Sequence, residues 1–450
     1  MTILEAGAAL RAKKVSSVEL VQEGLRIAEK LQPKLNAFIT FTKEQALKRA
    51  GELDAELASG RDRGPMHGIP IGLKDLLNTR GVRTTNGSKL FENRVPDHDA
   101  KVVTMLEEAG AVSLGKLGLH ELAYGITSNN PWFGAVRNPW NPECIPGGSS
   151  GGSGAAVATG MTMMAVGTDT GGSIRIPAAF CGTCGIKPTY GIVPVDGAMP
   201  LGFSLDTIGP LAKSVRDTAV SFEAFVPGKK YLPTDAEISL KGIRIGVPEN
   251  FFFDHVDPAV DKAVHAAATV AQEAGAELVS VRVEHMEDLV TVGRMILLVE
   301  AADAVGDYWP RRSEFGADVL SLFDQGRLIP APHYVRAQRL RVELTRRFLQ
   351  VFAKCDCILA PANAMGAPKI GQTSIDIAGK PQDVRLASTR LVRGINVLGL
   401  PALSQPCGFT DEGLPIGLQL IGRAHEEALL FRAGAAIEDR TEHHKRSPAL

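Results

Sequence analysis

The sequence has little of several features that would assign a protein to a specialised class. Six cysteines among 450 residues are too sparse for a disulfide scaffold. The 49 basic and 50 acidic residues leave a net charge of -1, which gives no sign of a general affinity for nucleic acid or anionic membranes. No apolar run reaches the length of about 18 residues that a transmembrane helix needs. The N-terminus also lacks the order of a signal peptide, so we expect a cytoplasmic protein.

Two cysteine pairs, Cys181 with Cys184 and Cys355 with Cys357, have spacings that occur in metal sites. A zinc site normally needs two such pairs or added histidines at fixed spacing. Cys181 and Cys184 stand among small and apolar residues. We therefore interpret this pair as buried packing residues, and we predict no metal and no cofactor.

Strands and helices alternate along the chain, which is typical of an α/β protein. With 44% hydrophobic residues the chain can bury a large core. Because strand-like segments occur near both ends, we predict one sheet and a single domain over residues 1–450. Strands are predicted at 68–75, 111–116, 242–248 and 356–361, with a hairpin-like segment at 413–421. Helices are predicted as two within 16–60, then at 98–109, 258–274, 284–306, 333–353 and 426–438, with a polar surface connection at 227–241.

Residues 145–175 are rich in glycine and serine, the composition of a flexible linker. This segment also contains Met161, Met163 and Met164, which a linker would not hold in its middle. We therefore predict an ordered loop, an apolar helix over 155–166 and a second loop.

Ser149 lies in a Gly-x-Ser-x-Gly pattern, which forms the nucleophile elbow of α/β-hydrolases. The elbow requires a strand that runs directly into the serine. Residues 138–146 instead contain three prolines, and prolines disfavour a central strand. An esterase that uses Ser149 with a late histidine such as His425 is therefore a weak alternative hypothesis.

Ser173 follows two glycines in the segment 167–177. Two glycines before a serine allow successive backbone N–H groups to turn toward one point, where they can hold an anion or an oxyanion. A plain turn or a phosphate loop is the alternative. A Walker phosphate loop would need Gly-Lys-Ser/Thr, which is absent here.

Lys74 ends an apolar segment that contains Ile69, Ile71 and Leu73. A lysine at a strand end is most often solvated. The apolar neighbours indicate instead a semi-buried side chain, whose pKa desolvation would lower until it could act as a neutral base.

The histidines are scattered, and none completes a metal or triad pattern. His120 is followed by Glu121, but Tyr124 stands where a His-Glu-x-x-His zinc motif would have its second histidine. We interpret His120 as a core residue that makes hydrogen bonds.

The blocks 147–157 and 167–175 together closely resemble the signature of the amidase signature family. The segment 68–75 resembles the lysine motif of that family. Further matches extend the resemblance to roughly residues 10 to 445, with a signature core at about 65–215. These further matches lie at 138–141, 184–191, 204–210 and 413–422.

The resemblance implies one α/β/α domain with a large twisted mixed sheet surrounded by helices. It also implies a catalytic role for three residues. Ser173 resembles the nucleophile, Ser149 resembles a bridging serine that follows a cis peptide bond, and Lys74 resembles the base. No metal and no cofactor are implied.

The same resemblance suggests residues around the reacting centre. The expected oxyanion donors are the N–H groups of Thr170, Gly171, Gly172 and Ser173. The residues expected to line the substrate pocket or to orient the loop are Tyr124, Gly125, Thr127, Ser150, Asp169 and Arg175. The pocket is expected to be lined from 120–133, where Trp132 and Phe133 would suit an apolar or aryl acyl group.

We therefore expect hydrolysis of a small carboxylic amide to an acid plus ammonia or an amine, through an acyl-enzyme. A stand-alone enzyme would need neither nucleic acid nor membrane, and a homodimer is one expectation because family members often dimerise. The alternative is the A subunit of a glutamine-dependent tRNA amidotransferase. A non-catalytic scaffold is disfavoured because Lys74, Ser149 and Ser173 are all present.

The segment 315–323 bears on the choice between these two enzymes. The A subunit carries a basic cluster there, with an arginine expected to bind the glutamine carboxylate, and this chain has an apolar residue in its place. A buried carboxylate without a partner is costly. This segment therefore favours a stand-alone amidase.

Overall fold

A computed structural model describes residues 1–234 and 238–450 of the chain. Residues 235–237, which belong to the predicted connection 227–241, lie outside the described residues. Among the helices of the described part, none is both long and apolar enough to cross a membrane.

The strands follow one another from near the N-terminus to near the C-terminus. They are β1 (Phe38–Phe41), β2 (Pro70–Lys74), β3 (Val112–Leu117), β4 (Asn129–Asn130), β5 (Gly134–Ala135), β6 (Met164–Asp169), β7 (Cys184–Lys187), β8 (Thr207–Ala212), β9 (Arg244–Pro248), β10 (Glu277–Val281), β11 (Cys357–Pro361), β12 (Ser374–Ile377), β13 (Lys380–Asp383), β14 (Ala402–Phe409) and β15 (Pro415–Gly422).

Eleven of these strands form one mixed sheet, in the order β1-β3-β2-β6-β8-β7-β14-β15-β11-β9-β10. Strands from both ends of the chain meet in its middle, where β7 pairs with β14. The prediction of one sheet fed by the whole chain is therefore confirmed. The predicted single domain over residues 1–450 stays a prediction.

The helices cover the sheet, and several of them begin at a residue whose side chain caps the helix. They are α1 (Ile3–Arg11), α2 (Ser17–Leu35), α3 (Lys43–Ala58), α4 (Lys101–Glu108), α5 (Gly151–Ala158), α6 (Arg175–Cys181), α7 (Val215–Glu223), α8 (Pro258–Glu273), α9 (Met286–Ala304), α10 (Ala317–Arg327), α11 (Ala331–Phe348), α12 (Val384–Leu398) and α13 (Glu427–Glu438). Ser16 caps α2 in a capping box with Glu19, whose side chain accepts from the Ser16 backbone. The predicted α/β fold with a large mixed sheet surrounded by helices is thus confirmed.

The predicted helix over 155–166 is wrong in its second half. Helix α5 ends at Ala158, Gly160 turns the chain with a positive φ, and β6 begins at Met164. Strand β6 is buried along its whole length, so its sequence shows no alternation of apolar and polar residues. Such a segment cannot be told from a buried helix by periodicity.

Strands β2 and β6 are parallel neighbours, with Leu73 opposite Val166. The carboxyl ends of neighbouring parallel strands lie at the same edge of a sheet, where ligands commonly bind in α/β folds. Lys74 ends β2, and Thr168 and Asp169 end β6. The sheet therefore brings the lysine motif and the second glycine–serine block together.

Candidate active site

Lys74 and Ser149, predicted to act together, are in contact. The Lys74 side chain is fully buried, and its Nζ donates to Ser149 Oγ at 2.7 Å and to Thr168 Oγ1 at 2.8 Å. Both hydroxyls lie beside the end of β2, one in the loop before α5 and one in β6. The semi-buried lysine expected from the sequence is in fact completely enclosed.

The protonation state of Lys74 follows from this enclosure. Burial lowers the pKa of Lys74 to about 7, although the carboxylates of Asp169 and Asp206 act in the opposite direction. Desolvation disfavours the ammonium form more than these two charges favour it. A large fraction of Lys74 is therefore neutral near pH 7.

Ser149 sits in a tightly enclosed loop. The Gly148–Ser149 peptide bond is cis, as the resemblance implied. The Ser149 carbonyl accepts from the N–H of His120 at 3.1 Å. A side chain at Gly148 would come within 2.8 Å of the backbone of Ile126, so only glycine fits this close approach.

Ser173 lies at the edge of a small cavity. Its hydroxyl has no hydrogen-bond partner within the described part of the chain, and its carbonyl accepts from Ser150 N–H at 3.3 Å. Ser150 follows Ser149, so this bond ties the two predicted serine loops together. The Ser150 hydroxyl donates to the Thr168 carbonyl at 3.2 Å.

The loop between β6 and α6 is organised by a buried ion pair. Asp169 and Arg175 are both fully buried, with Asp169 Oδ2 at 3.1 Å from Arg175 Nε. Arg175 also donates to Gln419 Oε1 at 3.1 Å and to Asn396 Oδ1 at 2.7 Å. Burial alone would raise the pKa of Asp169, but the Arg175 charge and hydrogen bonds hold it well below its usual range.

One predicted oxyanion donor is already engaged in this network. The N–H of Gly172 donates to Asp169 Oδ1 at 2.8 Å. The N–H groups of Thr170, Gly171 and Ser173 have no acceptor within residues 1–234 and 238–450. Three of the four predicted donors are therefore without an acceptor, and all three residues line the cavity described next.

The cavity beside Ser173 contains part of the predicted pocket. Its wall is formed by Ala123, Tyr124, Gly125, Ile126, Thr170, Gly171, Ser173, Leu201, Leu297, Arg385, Thr389 and Arg393. Gly125 packs so closely on the His120 ring that a Cβ would lie 2.2 Å from Nε2. The segment 123–126 thus supplies one wall of the cavity.

Three residues expected at the pocket make other contacts instead. Thr127 Oγ1 lies 3.2 Å from His120 Nδ1. Trp132 donates from its indole to Glu121 Oε1 at 2.9 Å. Phe133 stacks near Arg83, with the guanidinium 5.9 Å from its ring centroid. These side chains contact hydrogen-bonding and cation–π partners outside the cavity.

His120 acts as the sequence analysis expected. It is buried, and its Nε2 lies 2.8 Å from Asp318 Oδ2.

The esterase hypothesis finds no support, because no histidine side chain hydrogen-bonds to Ser149 or Ser173 in the described residues. Cys181 and Cys184 are buried, as predicted, and Cys181 Sγ donates to the Pro146 carbonyl at 3.3 Å.

The segment 315–323 does not decide the charge of the cavity. Phe315 and Phe323 pack against each other, and Phe323 also packs against Tyr124 at 5.5 Å. The cavity takes its cations from α12, which supplies Arg385 and Arg393. The apolar residue expected in 315–323 therefore does not leave the cavity without a cation.

Sequence reasoning missed several residues of the site. Thr168 lies in the segment 167–177 and Asp206 in the segment 204–210. Nothing in either segment distinguishes these two side chains from their neighbours as site residues. Arg385, Arg393 and Asn396 lie on a helix more than 200 residues after Ser173, and no local pattern distinguishes them from surface residues. The spacing of Arg385 and Arg393 along one helix face would have been the available signal.

Known proteins resemble this chain over its whole length. The sequence model of the family described as Amidase matches residues 19–431. The A subunit of glutamyl-tRNA(Gln) amidotransferase from Carboxydothermus hydrogenoformans is 37% identical over 98% of this chain and 97% of its own. The corresponding protein from Roseiflexus sp. is 40% identical over 100% and 98%.

Solved structures give a second comparison. A structure described as that of an amidase has a TM-score of 0.90 and 33% identity, covering 98% of this chain and 100% of its own. A chain of a vestigial complex related to the origins of an s-triazine catabolic enzyme has a TM-score of 0.91 and 34% identity, covering 98% of both. The A subunit of the Thermotoga maritima amidotransferase has a TM-score of 0.81 and 32% identity, covering 98% and 95%.

Proposed function

The chain belongs to the amidase signature family and is thus an enzyme that acts on carbon–nitrogen bonds, and we propose that it hydrolyses a carboxylic amide through Ser173, Ser149 and Lys74. The observation that carries this proposal is the 2.7 Å contact between the enclosed Lys74 Nζ and Ser149 Oγ, beside the cavity that contains Ser173. A serine hydroxyl is a weak nucleophile and needs a base within hydrogen-bond reach. Lys74, with a pKa of about 7, is suited to that task.

The proposed reaction passes one proton along the two serines. Neutral Lys74 accepts the proton of Ser149, which accepts that of Ser173, while Ser173 Oγ bonds to the amide carbon. The N–H groups of Gly171 and Ser173 donate to the oxyanion that forms. The relay then returns the proton to the leaving nitrogen, the carbon–nitrogen bond breaks, and ammonia or an amine departs. Water hydrolyses the acyl-enzyme to the carboxylic acid.

The first candidate setting for this chemistry is the A subunit of a tRNA amidotransferase, where the amide is that of glutamine. The full-length relatives at 37% and 40% identity support this setting better than a stand-alone amidase. Arg385 and Arg393 also remove the main objection to it, because the cavity does hold cations for a carboxylate.

The second candidate is an amidase that needs no partner protein. The fold comparison favours it, since the TM-score of 0.90 with the structure described as an amidase exceeds the 0.81 of the Thermotoga maritima protein at similar identity. In this setting no nucleic acid takes part, and the substrate is a small amide.

Ammonia or amine release tests the proposal and separates the two settings. We would compare wild type with Ser173→Ala on aliphatic, aryl and ureido amides and on glutamine, with Ser59→Ala, at an exposed serine, as the control. We expect turnover by wild type and Ser59→Ala and none by Ser173→Ala. Turnover that survives Ser173→Ala would refute the nucleophile assignment. Glutamine hydrolysis only after addition of the other amidotransferase subunits would establish the first setting, and turnover by the chain alone the second.

A further inference from the structure

Helix α12 presents three polar residues to the cavity that contains Ser173. Arg385, Thr389 and Arg393 are spaced by four residues, so they lie along one face of the helix. All three line the cavity together with Gly171 and Ser173. The reacting centre thus faces two guanidinium groups across a small volume.

Arg393 is unusual because it is buried without a partner. Only 7% of it is exposed, and its Nε is buried with no hydrogen-bond acceptor. Within residues 1–234 and 238–450 it makes neither a hydrogen bond nor an ion pair. Burial, with the neighbouring charge of Arg385, lowers its pKa to about 10, so it remains charged at neutral pH. An uncompensated buried charge is costly, which indicates that a partner is supplied by a ligand.

Arg385 extends the same positive patch. In the described part of the chain it makes no hydrogen bond or ion pair, and its guanidinium lies 5.6 Å over the ring of Tyr124. The carboxylate with the largest electrostatic effect on Arg385 is that of Asp318. Asp318 is already paired with His120 at 2.8 Å. No aspartate or glutamate is among the residues that line the cavity. The cavity therefore offers positive charge and no negative charge.

The other buried cations of the chain show how unusual this is. Arg175 has carboxylate, amide and carbonyl acceptors. Lys116, which is also fully buried, donates to Thr79, Thr84 and the Leu77 carbonyl. Among Arg175, Lys116 and the two arginines of α12, only Arg393 combines burial, a place at the cavity and an absence of acceptors in the described part of the chain.

The position of Arg393 relates it to the reacting centre. A Cβ placed on Gly171 would lie 3.5 Å from Arg393 Nε, so the guanidinium is next to the backbone proposed to hold the oxyanion. A short substrate can therefore place one group against the Arg393 guanidinium and its reacting carbonyl at Ser173. Gly293 of α9 helps to seat the arginine, because a Cβ there would lie 3.3 Å from Arg393 Cγ.

We propose that Arg393 and Arg385 bind a carboxylate on the acyl part of the substrate, and that the substrate is an amide that carries this carboxylate and no ammonium group. This inference rests on the proposed amide hydrolysis at Ser173. Guanidinium groups bind carboxylates through paired, charge-assisted hydrogen bonds. An α-ammonium group would enter a positively charged cavity without an acidic partner, so the monoamide of a short dicarboxylic acid fits better than glutamine. This inference therefore favours the second setting, an amidase that needs no partner protein, over the first.

Three amides of matched length test the proposal. Glutaramate carries the carboxylate alone, glutamine carries the carboxylate and the ammonium, and pentanamide carries neither. We expect kcat/KM to be highest for glutaramate. Arg393→Gln should lower the ratio of kcat/KM for glutaramate to that for pentanamide by about 10- to 100-fold, the effect of losing a charged hydrogen-bonded pair. Arg339→Gln, at an exposed arginine of α11, should leave both values unchanged.

A binding measurement provides a readout that does not depend on turnover. Glutarate should bind to Ser173→Ala in a calorimetric titration, and adding Arg393→Gln should weaken its binding by a similar factor. Equal losses for glutaramate and pentanamide in Arg393→Gln would refute the carboxylate site. Faster turnover of glutamine than of glutaramate would refute the exclusion of an ammonium group. Failure of the proposed function itself would appear separately, as turnover that persists in Ser173→Ala.

Discussion

Two buried arginines on either side of Ser173 differ in a way that separates structure from binding. Arg175 lies behind the loop and is paired with Asp169, Asn396 and Gln419. Arg393 lies in front of the loop and has no partner in the described residues. A buried charge with a full set of acceptors stabilises one conformation of the chain, whereas a buried charge without acceptors is an incomplete site.

The paired side explains why the loop can hold a reacting group in place. Asp169 accepts from three parts of the loop, the N–H groups of Gly172, Ile174 and Arg175. These bonds fix the backbone on both sides of Ser173. Ser173 itself lines the cavity, and its hydroxyl takes no part in them. The charges behind the loop thus orient it, and those in front of it are free to bind.

The largest expected effect tests whether Lys74 is the base of the reaction proposed at Ser173, the residue between the two arginines. Lys74→Met removes the proposed base, and we expect kcat to fall by about 10³- to 10⁴-fold. Lys187→Met is a matched control, because Lys187 is also fully buried with a pKa lowered by burial to about 7. Lys187 donates to the Pro188 carbonyl and to no serine of the described residues, so its variant should keep most of its activity. Equal losses in the two variants would assign the effect to a buried lysine in general.

The next largest effect is on the free energy of unfolding, which should respond differently to the loss of Arg175 and the loss of Arg393. Arg175→Met leaves the Asp169 carboxylate buried without its cation, and we expect the free energy of unfolding to fall by about 3–5 kcal/mol. Arg393→Met removes an unpaired buried charge, so the free energy of unfolding should stay the same or rise. Urea denaturation of both variants measures this difference. A comparable loss in Arg393→Met would mean that Arg393 has a structural partner, and the contrast between the two arginines would be lost.

A pH profile sharpens the assignment of Lys74 with a smaller effect. The proposed base must be neutral, and burial lowers the pKa of Lys74 to about 7. The value of kcat/KM should therefore rise with pH up to about 7 and decrease by about tenfold per unit at lower pH. The residual activity of Lys74→Met should lack this acid limb. If the limb persists there, another group such as Asp206, whose pKa burial raises to about 6, is responsible.

The two sides of the loop also differ in how well the sequence predicts them. Lys74, Ser149 and Ser173 lie in short glycine-rich motifs, because a close backbone approach restricts the residue types that fit there. Strand β1 (Phe38–Phe41) escapes prediction because four residues between two amphipathic helices give too short a pattern. The start of β6 is predicted as helix for the related reason that a strand buried on both faces shows no alternation. The failure at β1 thus concerns length and the failure at β6 concerns burial, and local periodicity resolves neither.

Arg385 and Arg393 escape prediction for a different reason. A helix with arginines at such spacing usually exposes them, whereas Arg393 is buried where α12 packs against Gly293 of α9. The proposed specificity of the enzyme therefore depends on contacts between segments far apart in the chain. The proposed chemistry, by contrast, depends on local motifs, which the sequence alone displays.

The smallest expected effect tests whether a bound carboxylate supplies the partner that Arg393 lacks in the described residues. Glutarate at ten times its Kd should stabilise the wild-type fold by RT ln 11, about 1.4 kcal/mol, and raise Tm by roughly 1–3 °C. Arg393→Gln should show no such rise, while Arg339→Gln should respond as wild type does. The neutral analogue pentanamide should raise Tm less than glutarate, because it leaves the guanidinium groups without an acceptor. A rise in Arg393→Gln equal to that in wild type would place the glutarate elsewhere and leave the charge of Arg393 unexplained by substrate.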